Sequence, residues 1–318
     1  MKNNGPMKRA VITGATGVVG TALIKELREQ DVELLVLLRE GSPHNARIPD
    51  EPGIIKCVCS LDSMAAFSAP DDRRWDVFYH LGWSGTKGTD RFDPRIHTQN
   101  VFFTLDAVDL AERLGCKCFI GAGSQAEYGR QEKRLTPDTP THPENAYGAG
   151  KLSAGHMSRL AASKKGMVHI WTRILSLYGP NDGERTLVTD LVSALLEGRH
   201  ISTTKGEQVW DYLAAADAAR ALRMLGEIGT DTADSQKVNG KVFLIASGKE
   251  RSLRSYIEEM RDLIAPDAEI GFGEKPYADK QVMHLTADIS ETTKACGWVP
   301  EISFADGIRE MVSRIHGQ

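Results

Sequence analysis

Residues 8–27 restrict this chain more than any other stretch. A short apolar run at 8–13 gives way to Gly14-Ala15-Thr16-Gly17-Val18-Val19-Gly20, and helical apolar spacing follows through Leu23, Ile24 and Leu27. Strand, glycine-rich turn and helix in that order form a backbone that bends tightly and points a bare helix N-terminus at the bend. Unpaired N–H groups and the positive end of the helix dipole suit a phosphate there. The turn residues Gly14, Thr16, Gly17, Val18, Val19 and Gly20 are therefore candidates for holding a pyrophosphate. The spacing is Gly-x-x-Gly-x-x-Gly, not the Gly-x-Gly-x-x-Gly of the ordinary dinucleotide fold.

A strand–turn–helix unit buries its apolar faces only beside further units. The chain supplies them. Residues 32–38 are almost continuously apolar, as a buried parallel strand should be. Further strands are expected at 54–59, 76–81, 117–121 and 168–175, with helices at 96–114 and around Tyr147. The fold class is α/β, a doubly wound parallel sheet of the Rossmann kind with a smaller, mostly α C-terminal domain. Residues 1–178 would form the dinucleotide-binding domain, with later returns to the sheet around 207–217 and 241–247. Residues 179–318 would form mainly the second domain, with helices at 186–197, 214–226, 253–264 and 304–315. Residues 1–9 read as a short polar extension without a signal-peptide core.

A net charge of -4 argues against nucleic acid as a partner, and no apolar run reaches membrane-spanning length. The five cysteines include Cys57-x-Cys59 and Cys116-x-Cys118. Both pairs fall in strand-like segments without a His-rich partner, so buried thiols explain them better than a metal does. An odd count without a leader implies a reducing compartment, the cytoplasm.

Strand ends are where such sheets meet ligands. The second strand ends Leu38-Arg39-Glu40, and a guanidinium there suits a 2′-phosphate; NADP(H) is favoured, with Ser42 and Arg47 as further donors. In the other reading Arg39 is solvated, Glu40 holds a ribose diol, and the cofactor is NAD(H). Ser60 or Asp62 lies near where an adenine would rest. Leu81, Gly82 and Trp83 follow the fourth strand and border the cofactor, and Ile174 closes the sixth beside it. The polar loop 85–94, with Asp90, Arg91 and Asp93, borders the substrate together with Ser84. Asn100 is a polar amide on a long amphipathic helix, either solvated or anchoring a water and a lysine. Ser124, followed by Gln125, is the first hydroxyl past the fifth strand. Tyr147 and Lys151 stand four apart, which places them on one helix face. A lysine charge beside a phenol favours the phenolate and brings it toward a useful pKa.

Together these residues resemble the extended short-chain dehydrogenase/reductases, the nucleotide-sugar epimerase, dehydratase and 4-ketoreductase group. The resemblance spans nearly the whole chain: residues 13–20, His80-Leu81-Gly82, Asn100, residues 124–129, Tyr147, Lys151, Tyr178-Gly179-Pro180, Trp210-Asp211-Tyr212, and Gly297-Trp298-Val299-Pro300 before Phe304. It implies that Tyr147 is the acid/base at a sugar oxygen. Lys151 would bond the nicotinamide ribose and tune Tyr147, Ser124 would hold the same sugar oxygen, and Asn100 would support the proton relay. The substrate would be a nucleotide sugar, lying against segments from Asn181 onward, with no metal required. A homodimer through the Asn100 and Tyr147 helices is expected by analogy.

Among the group's reactions, 4,6-dehydratases place an acid two positions before the tyrosine of the Tyr-Gly pair, often with another just before it. Here those positions are Ala126 and Gln125, which disfavours dehydration, and Glu127 should point elsewhere. Arg39 tilts the choice toward an NADP(H)-dependent 4-ketoreductase over an NAD-dependent 4-epimerase. Many members carry a phosphate-anchoring arginine where this chain has Trp210, which can stack on a base or sugar instead. A non-catalytic, cofactor-binding member is the remaining reading.

Overall fold

The computed structural model describes residues 7–183 and 186–316; most of the N-terminal extension read from the sequence, residues 1–6, lies outside them. The chain runs β1 (Arg9–Thr13), α1 (Val18–Glu29), β2 (Glu33–Leu38), β3 (Ile54–Val58), β4 (Val77–His80), α2 (Pro94–Arg113), β5 (Cys118–Ser124), α3 (Ala146–Lys164), β6 (Val168–Ile174) and β7 (Ser176–Tyr178). It continues with α4 (Leu187–Leu196), β8 (Ile201–Thr203), β9 (Val209–Trp210), β10 (Tyr212–Ala214), α5 (Ala215–Thr230), β11 (Lys241–Ile245) and β12 (Arg251–Ser252). Then come α6 (Leu253–Ile264), β13 (Ile270–Phe272), β14 (His284–Leu285), α7 (Ser290–Cys296) and α8 (Phe304–His316).

Seven strands make one parallel sheet in the order β11-β6-β5-β4-β1-β2-β3. One face is covered by α1 and α5, whose Leu23, Leu27, Leu222 and Leu225 are sealed against Ile12, Val36 and Ile120. The other is covered by α2 and α3, where Ala107, Ala111 and Ala162 meet Val11, Leu35, Phe78 and Phe119. Small residues let α3 lie close to the sheet: a Cβ at Gly155 would come within 2.8 Å of the Trp171 indole, and one at Gly121 within 2.3 Å. β1 stands between β2 and β4, and the chain leaves it toward opposite edges, so a crevice opens at the carboxyl ends of β1 and β4.

The doubly wound sheet is as expected, with one correction. The segment around 207–217 does not rejoin it: β9 pairs with β12 and β14, and β10 pairs with β7 in a separate ladder; only β11 extends the main sheet. The cysteine pairs also divide: Cys118 packs beneath α5, whereas Cys116 precedes β5 and packs with α2. The later segments gather α4, α6 and α8 around Val192, Ile257, Met260 and Ile308. They are fastened to α5 by Asp217, which is buried. Its carboxylate accepts from the backbone N–H groups of Glu301 and Ile302 at 2.8–3.1 Å, and its carbonyl accepts from the Trp298 indole at 3.0 Å. Asp211 likewise takes the N–H groups of Ser247 and Gly248. Among the described residues no helix is long and apolar enough to cross a membrane, and no three acidic, His or Cys residues gather as a metal site.

Candidate active site

At the end of β1 the backbone itself forms the site. Gly14 has φ +69°, and a Cβ on it would lie 2.5 Å from the Gly82 nitrogen, so the ends of β1 and β4 touch there. A Cβ at Gly20 would lie 2.4 Å from the Gly14 carbonyl oxygen, which holds α1 against the turn. Gly17 differs: a Cβ there would meet only the Gly14 oxygen at 3.6 Å, and the residue is exposed. It is the N-cap of α1 without a side-chain cap, and no acid sits in the first turn. The N–H groups of that turn are thus left for an external acceptor.

A cleft of about 400 Å³ runs from this turn. Thr13, Thr16, Arg39, Ser42, Asn45, Asp62, Gly82, Trp83 and Ser84 are among its lining residues. The Asn45 amide donates to the Arg39 carbonyl at 2.9 Å, while its oxygen is buried without a partner. Arg47 reaches the Thr16 carbonyl at 3.0 Å, and Ser60 bonds Asp62. Glycine-lined space at a bare helix end, a strand-end guanidinium and an orphaned amide oxygen fit a dinucleotide. Leu81 packs beneath this cleft, and Ile174 ends β6 in register with Ser124.

Beyond Trp83 lie the chemical groups. Ser124 ends β5, buried, its hydroxyl accepting from Ala126 N–H at 3.2 Å. Its own N–H donates to Glu127 at 2.9 Å. Glu127 is wholly buried, paired with Arg173 at 2.7 Å and bonded by the Trp171 indole at 3.0 Å. It points into the protein, as its displaced sequence position suggested. Gln125 is half-buried beside Ser124.

Asn145 caps α3 by accepting from Gly148 N–H at 2.8 Å, and the first turns then present Tyr147 and Lys151. The tyrosine is half-buried; its ring meets Trp83 and His97 edge-on, with centroids 6.3 and 5.6 Å away. Lys151 is buried, donates to the Ala122 carbonyl at 2.6 Å, and lies 3.9 Å from the Trp83 ring centroid. Burial pulls its ammonium down to about 7, against the attraction of Glu127.

Three expectations change here. The Tyr147 phenol is held above its ordinary value, because burial outweighs the Ser124 hydroxyl and the Arg91 guanidinium, which both lower it. Lys151 is not its nearest cation: its nitrogen is 6.0 Å from the phenol ring, whereas the Arg91 guanidinium carbon is 4.1 Å away. Asn100 does not meet the lysine either. It clamps Ser84, accepting from its N–H at 2.9 Å and donating to its carbonyl at 3.0 Å. The two proposed sugar contacts are apart from this cluster. Asn181, at φ +63°, reaches Thr21 at 3.4 Å and lines a separate groove of about 720 Å³ between α1 and α8. Trp210 spends its indole N–H on Ser176 at 2.8 Å and packs half-buried against the patch holding Tyr128 and Leu285.

Sequence reasoning placed Arg91 only in a polar loop and missed Arg173 and Trp171 as partners of Glu127. A buried cation on the neighbouring strand, 46 residues along the chain from its carboxylate, leaves no local spacing to read.

The model of the NAD-dependent epimerase/dehydratase family matches residues 10–239, more than half the chain. The chain belongs to that family. It is an NAD(P)-dependent enzyme of the extended short-chain dehydrogenase/reductase type. Curated members of this family similar to it include the CDP-abequose synthase of Salmonella typhimurium, 21% identical over 96% of this chain and 97% of that one. The dTDP-6-deoxy-L-talose 4-dehydrogenase (NAD(+)) of Aggregatibacter actinomycetemcomitans is 25% identical over 78% of this chain and 88% of its own. Among solved structures, the UDP-glucose 4-epimerase of Thermotoga maritima superposes with a TM-score of 0.82 at 21% identity, covering 97% of this chain and 99% of that one. The UDP-glucuronic acid 4-epimerase of Bacillus cereus, solved with NAD, gives 0.80 at 19% identity, over 96% of both chains. The family description, the 4-dehydrogenase and the Bacillus cereus epimerase name NAD, so the expected preference for NADP(H) draws no support from them.

Proposed function

We propose that this family member is an NADP(H)-dependent nucleotide-sugar 4-ketoreductase, reducing C4 of a nucleotide-linked 4-keto-deoxysugar. The observation that carries the reading is the make-up of the cluster beyond Trp83. Ser124 and Tyr147 stand together, while the positions a dehydratase would make acidic are Gln125 and Ala126; the nearest acid, Glu127, is sealed with Arg173 and Trp171. A proton can be given to a carbonyl oxygen there, but no side chain is placed to drive elimination of water.

A bound nicotinamide would supply the hydride to the sugar carbonyl carbon. Gly14, Thr16, Gly17, Val18, Val19 and Gly20 would hold the pyrophosphate. Arg39 and Ser42 would meet a 2′-phosphate, and Leu81, Gly82, Trp83 and Ile174 would border the rest. Tyr147 would give its phenolic proton to the C4 oxygen as that oxygen gains the carbonyl electron pair, and solvent would return the proton. Ser124 would hydrogen-bond the same oxygen, and Lys151 would bond the ribose. Asn100 would act indirectly, by fixing Ser84 at the border of the sugar. Gln125, Asn181 and Trp210 are kept as sugar and nucleotide contacts.

A 4-dehydrogenase of a dTDP-6-deoxysugar among the relatives supports redox chemistry at C4. An NAD-dependent 4-epimerase is the second reading, supported by the fold-level neighbours. The test supplies nucleotide-4-keto-6-deoxysugars and follows NADPH consumption. Turnover of a nucleotide hexose without net cofactor change would replace the reductase by the epimerase.

The same reading takes residues 1–178 as the cofactor domain and 179–318 as mainly the sugar domain, and places the protein in the cytoplasm. It also includes a homodimer. α2 and α3 lie side by side with Phe102, Met157 and Leu160 more than half exposed on them, an apolar face suited to a second copy.

A further inference from the structure

We propose that Glu127 is a positioning residue for Ser124: its carboxylate, held from behind by Trp171 and Arg173, fixes the end of β5 so that the Ser124 hydroxyl meets the reacting oxygen as a donor. The inference rests on the proposed role of Ser124 at that oxygen.

The contacts are direct hydrogen bonds between buried groups. One oxygen of Glu127 accepts from the Ser124 N–H at 2.9 Å and from the Trp171 indole at 3.0 Å. The other accepts from the Arg173 Nε at 2.7 Å. In return the Ser124 oxygen accepts from the Ala126 N–H at 3.2 Å, which closes a capping box around the turn after β5. The peptide entering Ser124 and its side-chain rotamer are both fixed in this way. With a lone pair of the hydroxyl engaged by Ala126, its proton is left to be donated elsewhere.

The surrounding elements are shaped to take this carboxylate. Arg173 stands on β6 in register with Gly123, and its guanidinium carbon is 4.4 Å from the Tyr128 ring centroid. It therefore touches the turn at two successive residues, Glu127 and Tyr128. A Cβ at Gly123 would lie 2.4 Å from the Glu127 oxygen and 2.3 Å from the Trp171 indole nitrogen. One at Gly155 of α3 would meet the same indole at 2.8 Å. Well-packed apolar residues seal a space of this kind about as stably as a buried ion pair does. What the carboxylate adds is an acceptor for the Ser124 N–H. Being wholly buried, Glu127 touches no substrate, and its effect passes through Ser124.

Removing the carboxylate alone would strand the Arg173 charge, so the test removes both. Glu127→Gln with Arg173→Met keeps an acceptor for the Ser124 N–H; Glu127→Leu with Arg173→Met fills the space without one. With nucleotide-4-keto-6-deoxysugars and NADPH, kcat should be about tenfold or more lower in the leucine pair than in the glutamine pair, with equal dinucleotide affinity. In a Ser124→Ala background that difference should vanish. The Ser124 amide is also read directly. The chain has two Gly-Ser links, Gly41-Ser42 and Gly123-Ser124, so carbonyl-13C glycine with 15N serine leaves two linked signals, of which Ser124→Ala removes one. The Ser124 amide should exchange with solvent about tenfold or more faster in the leucine pair than in the glutamine pair. Equal kcat in the two pairs, or a difference that survives Ser124→Ala, overturns the proposal. Should the parent not turn over these sugars, or Ser124→Ala leave kcat intact, the reading of the reaction fails instead. The exchange rates then decide whether Glu127 fixes Ser124, and equal rates overturn it.

Discussion

At the β1 end the cleft is made of main chain: Gly14 and Gly20 close the turn, Gly17 leaves it open, and α1 aims its N–H groups outward. Around Tyr147 it is made of side chains brought from four places: Trp83 after β4, Arg91 from the following loop, Ser124 from β5 and Lys151 from α3. A site of main chain tolerates many neighbours and recognises a general group, a phosphate. A site of side chains depends on each neighbour and can change its chemistry with one. The first should therefore respond to substitution through cofactor affinity and the second through rate, pH dependence and stability.

Tyr147→Phe should have the largest effect. Turnover should fall by about 10²–10⁴-fold while the dinucleotide still binds. A loss of binding of the same size would erase the division between the two ends. Next is Gly17→Asp, which puts a carboxylate at the open N-terminus of α1 without a clash. It should satisfy and repel where a pyrophosphate would sit, weakening the dinucleotide about tenfold or more in a fluorescence titration, with the melting temperature unchanged or slightly higher. Arg39→Asp should weaken NADPH about tenfold more than NADH; equal losses would remove the basis for choosing NADP(H).

The smallest of these effects is the change that Lys151→Met makes in melting temperature, read apart from its loss of the proposed ribose contact. The lysine pKa is about 7 folded against 10.5 in the unfolded reference, so between these values the unfolded chain holds the extra proton. Stability then rises with pH across that window, and the penalty of the buried charge is complete below pH 7. Lys151→Met should raise the melting temperature by a few degrees below pH 7, with the gain fading toward pH 10. A gain constant with pH would mean that the lysine is not held low by burial.

The same contrast explains what was legible in the sequence. The turn at 14–20, the strands and the alternation of strand and helix rest on local patterns, and they stand where expected. The division of labour around Tyr147 rests on loop geometry. Nothing local to Lys151 says that Ala122 and Trp83 will hold its ammonium, nor that Arg91, fifty-six residues before Tyr147, will reach the ring. Trp83 was read as a border of the cofactor; its ring also lies against the Lys151 ammonium. Asn100 was read for its chemistry, yet its amide is consumed by Ser84, whose position a linear reading does not fix. The segment 207–217 has strand-like composition, but pairing partners are non-local, and β9 and β10 found theirs outside the main sheet.

The hold of Asp217 on the Glu301–Ile302 backbone has a mechanical corollary. The last helix cannot swing away from α5 like a door on a slack hinge; it is pinned by a buried carboxylate where the chain crosses back. Severing that pin, as in Asp217→Ala, would leave the Glu301 and Ile302 N–H groups without their carboxylate and loosen the entry to α8, while the glycine turn kept its shape.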